Sequence, residues 1–181
     1  MRRMVLVVLI VLALSAAAFA QSQAEIDKAL LPAPRQLKAD ATVIKWKPDF
    51  TYETLKKGTN KLVCYDRSGQ PGQQPFAVEC TSMANLDRVA QNLKIEATTD
   101  KKDLRAAFEK LEKDGKWIKP EFGSLWIHMS GADQATARMH TTIAVPGATT
   151  QTLGFPDNGR GGGVWIMDAG SSEAHLMTTG S

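Results

Sequence analysis

Apolar positions along the chain form short strand-like runs early, recur near a period of 3.6 in the middle and alternate in the last third. Ala41 to Trp46 (ATVIKW), Lys61 to Asp66 (KLVCYD) and Phe76 to Cys80 (FAVEC) are short runs rich in β-branched and aromatic residues, which predicts strands. Tyr52 to Lys56 predicts a weaker one. Residues 67–75 (RSGQPGQQP) carry Gly and Pro at turn positions, so the second and third of the good strands read as a hairpin across a long polar loop. Leu86, Val89, Ala90 and Leu93 then recur at helical spacing, with Thr81 or Ser82 available as cap. A second helix is predicted from Asp100, with Leu104, Ala107, Phe108 and Leu111 as its buried stripe and Gly115 just past its end. Alternation returns in Leu125 to Ser130 (LWIHMS) and Met139 to Val145 (MHTTIAV), and two more short strands are expected at Val164 to Met167 and His175 to Thr178.

The amino-terminal segment obeys a different rule. Arg2 and Arg3 precede an apolar run from Met4 to Leu14, and Ala18-Phe19-Ala20 supplies small residues at a cleavage junction. This pattern reads as a signal peptide over 1–20, leaving a single globular domain over 21–181. Ser22 to Glu25 then fits a capping box for a short helix ending near Leu31, stopped by Pro32 and Pro34. Strands, helices and strands again point to an α+β fold: a mainly antiparallel sheet with two to three helices.

Composition narrows the setting. The 181-residue chain carries a formal charge of +3, two units of which belong to Arg2 and Arg3. The remainder is too nearly neutral to suggest nucleic acid as a partner. No later apolar stretch is long enough for a membrane span, so the processed chain is expected to be soluble in the periplasm or outside the cell. Its two cysteines, Cys64 and Cys80, would meet an oxidising compartment and are expected to pair. The competing reading, a catalytic or metal-binding thiol, lacks a C-x-x-C spacing or a nearby histidine.

Candidate chemistry gathers in the last third, which holds all three histidines: His128, His140 and His175. Three imidazoles can form an open zinc or copper site, and the neighbouring Met129, Met139 and Met177 would suit copper. Strand alternation argues against using all of them, because Met129 and His128, like Met139 and His140, point to opposite faces. A His-based hydrolase would draw on Ser171, Ser172, Asp168 and Glu173 near His175, but no G-x-S-x-G elbow is present. Residues 158–163 (NGRGGG) precede a strand rather than a helix, so they read as a loop with Arg160 at its tip, available to an anionic ligand. Trp126 shares a predicted face with His128 and could stack on a ring-bearing ligand.

The closing run GGGVWIMDAGSSEAHLM, with LKKGTNKLVCYD, FAVEC and RMHTTIAVPGA upstream, resembles a group of exported bacterial proteins of uncharacterised activity. They end on a Gly-rich stretch, an aromatic-Ile/Val-Met strand, an Ala-Gly turn and an Ala-His-Leu/Ile-Met strand. The resemblance implies a single secreted domain, supports pairing Cys64 with Cys80, and draws attention to Asn60, His140 and His175. It implies no activity. The expectation is therefore a small-ligand-binding module with a cleft near His140 and His175, with His128, Trp126, Asn60 and Arg160 as further binding candidates. A metal-dependent or His-based hydrolase and an envelope protein-binding module are the alternatives.

Overall fold

The computed structural model describes residues 21–178, so the signal segment expected over 1–20 lies outside the described residues. Eight strands form one sheet in the order β2-β1-β3-β4-β5-β6-β8-β7. They are β1 Thr42–Trp46, β2 Tyr52–Lys56, β3 Leu62–Asp66, β4 Phe76–Ser82, β5 Leu125–Gly131, β6 Arg138–Ala144, β7 Val164–Met167 and β8 His175–Thr178. Every neighbouring pair is antiparallel except β1 and β3, which run parallel because the chain passes over β1 after the β1–β2 hairpin.

Helices lie on both faces. Among the described residues there are five: α1 over 21–29, α2 Arg35–Lys38, α3 Leu86–Thr98, α4 Leu104–Lys113 and α5 Thr150–Leu153. This exceeds the two to three expected, because α2 and α5 are single turns of four residues, too short to show a periodic apolar stripe. Residue 21 is already helical, so Ser22 lies inside α1 rather than capping it. None of the described helices is long and apolar enough to cross a membrane.

Two cores flank the sheet. On one face Val43, Leu62, Cys64, Cys80 and Ile127 pack against Ala29, Leu30 and Ala33 beside α1. On the other, Ile44, Val63 and Tyr65 pack under Leu86, Val89 and Leu93 of α3. Cys64 and Cys80 stand directly opposite each other in β3 and β4, with Cα atoms 4.0 Å apart, and are joined by a disulfide. A smaller cluster of Val145, Ala148, Ile166 and Ala174 closes the β8–β7 end.

The helix caps differ from expectation. Thr81 and Ser82 do not cap α3, which starts after a 3-10 turn at Met83–Asn85. Their hydroxyls are used across the sheet: Thr81 Oγ1 donates to the Leu125 carbonyl, and Ser82 Oγ accepts from the Leu125 N–H. Helix α4 begins four residues after Asp100, and its apolar stripe is only half-buried. It touches the body chiefly through Phe108, whose ring meets Trp117 edge-on at 5.0 Å. Gly115, at φ +68°, ends it: the N–H of Lys116 bonds the Leu111 carbonyl and that of Gly115 bonds the Glu112 carbonyl.

Candidate functional site

Sheet register decides which chemistry-bearing side chains meet. His128 pairs with His140 across β5 and β6, and His175 pairs with Ala144 across β6 and β8. All three histidines therefore share the face covered by α3. His140 and Ala144 are four residues apart, so the His140 and His175 positions are separated by roughly 13 Å along the strands. Met129 and Met139 face each other on the opposite side of the sheet. The three imidazoles do not converge, and among the described residues no group of three His, Cys, Asp or Glu side chains is arranged to hold a metal ion. His128 and His140 line one open recess, and His175 lines a different cleft.

The His175 cleft draws polar groups from both the helix and the sheet. It is about 230 Å³ in volume and lies between α3 and strands β5, β6 and β8. From the helix side come Asn85, Arg88 and Asn92, at spacing i, i+3, i+7, a polar stripe beside the apolar one. From the sheet come Trp126, Thr142 and Ala144, in register across β5 and β6, and His175 from β8. Pro120 and Ser124, ahead of β5, and Glu173, ahead of β8, complete the wall. Asn85 is fixed by Nδ2 bonds to Thr81 Oγ1 (3.0 Å) and Ser124 Oγ (3.2 Å).

Two loops set the remaining groups. The connection after α4 is tied to α3 by Gln91, which donates to the Lys116 carbonyl at 2.9 Å and accepts from the Ile118 N–H at 2.9 Å. This holds Trp117 over Arg88. The guanidinium lies 5.2 Å from the Trp117 ring centre and 5.5 Å from that of Trp126, within cation–π reach of both indoles. The β7–β8 turn, with Asp168 at φ +53° and Gly170 at φ +82°, is pinned to residues 145–148 by three backbone bonds of 2.7–2.8 Å. Its Ser171 hydroxyl accepts from the Glu173 N–H, which directs the following residues to the cleft.

Electrostatics single out Arg88 and Glu173. Their side chains are 14% and 40% exposed and form an ion pair at 3.9 Å. Burial pulls the Arg88 guanidinium below its ordinary value, a shift opposed by Glu173. Burial also raises the Glu173 carboxyl, against the pull of Arg88. Arg88 Nε and Asn92 Oδ1 are buried with no hydrogen-bond partner. Polar atoms in that state cost about 1–3 kcal/mol each.

The other residues singled out by the sequence fall elsewhere. Asn60 donates from Nδ2 to the Leu37 carbonyl and accepts at Oδ1 from the Leu62 N–H, holding the β2–β3 connection against the α2–β1 junction. Arg160 is exposed in the glycine-rich loop, where its N–H meets Asn158 Oδ1. Ser171 Oγ donates to the Asp168 carbonyl and Ser172 Oγ to the Glu112 carboxylate, so neither hydroxyl is paired with His175. Trp126 and His128 share a face but line different cavities. The sequence signal for Arg88 and Asn92 is the polar stripe Asn85, Arg88, Asn92, which has the same spacing as the apolar stripe beside it.

The chain matches no protein-family model, no curated protein and no solved structure.

Proposed function

We propose that the chain is a binding module for a small polar ligand, held in the cleft between α3 and the sheet. The observation that carries this reading is the pair of buried, unpartnered polar atoms on one helix face, Arg88 Nε and Asn92 Oδ1, in a cleft whose walls are otherwise ordered by hydrogen bonds. Trp126 supplies the aromatic wall and His175 a polar one. His140 belongs to the neighbouring recess and is not part of this site. No reaction is assigned, since neither serine of the β7–β8 turn is engaged by His175.

A thermal-shift screen of small polar metabolites against the purified protein tests the reading, with Thr142→Leu as the cleft-filling control. Compounds that stabilise the wild type and not the variant support it. A screen in which every stabilising compound acts equally on both proteins places binding elsewhere and overturns it.

A further inference from the structure

The charge and hydrogen-bond pattern of the cleft specifies what it would hold. Arg88 is the single fixed cation among the described residues lining it. Its contact with Glu173, at 3.9 Å, is beyond hydrogen-bond reach, so a guanidinium only 14% exposed keeps its donors for another acceptor. A buried cation without hydrogen bonds is costly, and a planar fork lying against two indoles matches a planar bidentate anion.

Acceptors stand beside this donor fork. Asn92 lies one turn along α3 from Arg88, and its buried Oδ1 has no donor. The His175 Nδ1 lies 2.7 Å from the Glu173 carbonyl, which can only accept, so Nδ1 carries the proton and Nε2 is an acceptor. A ligand satisfying both sides has a carboxylate and a hydrogen-bond donor within one cleft of about 230 Å³.

We propose that the cleft binds a small carboxylic acid that also bears a hydroxyl or amino group, with Arg88 clamping the carboxylate and Asn92 and His175 accepting from the donor. The inference rests on the cleft being the ligand site. Glu173 is the carboxylate that the ligand replaces near Arg88.

Calorimetric titration with glycolate, L-lactate, L-serine and L-alanine, each beside its primary amide, tests this. At least one acid is expected to bind at least tenfold more tightly than its amide. Arg88→Lys keeps the charge but loses the fork, and is expected to weaken that acid at least tenfold. Glu173→Gln, on the rim, is expected to strengthen glycolate or lactate binding severalfold by removing the competing charge, which guards against an Arg88 variant that merely misfolds. Acids that bind no better than amides, or a Glu173→Gln variant that weakens the hydroxy acids, overturn the carboxylate assignment. If the screened metabolites still respond to Thr142→Leu in that case, the ligand-binding reading stands without it; if they do not, both fall.

Discussion

His175 places Nδ1 2.7 Å from the main-chain carbonyl of Glu173, two residues earlier in the chain. A carbonyl has no proton to give, so the bond fixes the neutral ring as the Nδ1–H tautomer. Nitrogen-15 NMR at a pH where the ring is neutral is expected to show a protonated Nδ1 and an unprotonated Nε2 for His175. The reverse assignment would remove His175 as an acceptor in the cleft.

The disulfide joins directly paired residues of β3 and β4 in the middle of the sheet, closing a loop with a sequence separation of 16. Replacing both cysteines by Ala is expected to lower stability by about 3 kcal/mol, mainly through the freedom restored to the unfolded chain. Urea denaturation of the variant, compared with the wild type with and without reductant, measures the loss.

Gly58 is irreplaceable on grounds of space. A Cβ there would lie 2.2 Å from the Asp40 carbonyl oxygen and 2.5 Å from Ala41 C and Thr42 N, all backbone atoms. The Gly58 N–H also bonds Thr42 Oγ1, and the N–H groups of Thr59 and Asn60 bond the Asp40 carbonyl. Gly58→Ala must push the β2–β3 connection off β1 and is expected to destabilise by about 1–3 kcal/mol, read from the denaturation midpoint. The Gly-x-Asn pattern is thereby explained by folding alone.

Acid acts on His128. Burial holds its imidazole below the ordinary value of 6.5, with Glu79 opposing and Arg67 and His140 adding to the shift. The unfolded chain therefore takes up this proton first, and stability is lost as pH falls from about 6.5 through the lower folded value. His128→Gln is expected to flatten that part of the stability profile. Glu173 works in the opposite sense at lower pH: its carboxyl is raised above 4.5, so its contribution falls as pH rises through that window. Thermal denaturation midpoints across pH 4–7 for the wild type, His128→Gln and Glu173→Gln separate the two.

Much of the sheet was legible because β1, β3 and β4 are short runs rich in β-branched and aromatic residues, β5 and β6 alternate, and turn residues bound them. The cysteine pair followed from two thiols in a chain read as exported, and α3 from its apolar stripe. Alternation also separated Met129 and Met139 from the adjacent histidines. Register was not legible: the offset that puts His175 opposite Ala144 instead of His140 is set by the β7–β8 turn and its bonds to residues 145–148, which leave no periodic trace. Neither were α2 and α5, single turns whose formation depends on their neighbours. The cleft was half visible. Glu173, His175 and Trp126 carry chemistry visible in the sequence, whereas Arg88 gains its setting only where Trp117, carried in by the α4 connection, closes over it.

The indole Nε1–H NMR signal of Trp126, assigned through Trp126→Phe, reports most directly on the cleft. During titration with a compound that stabilises the wild-type protein, ligand binding in the cleft predicts a saturable shift of that signal, with the same midpoint as the stabilisation, that is lost in Arg88→Lys. A saturable shift of other resonances, with the Trp126 signal unmoved, would contradict it.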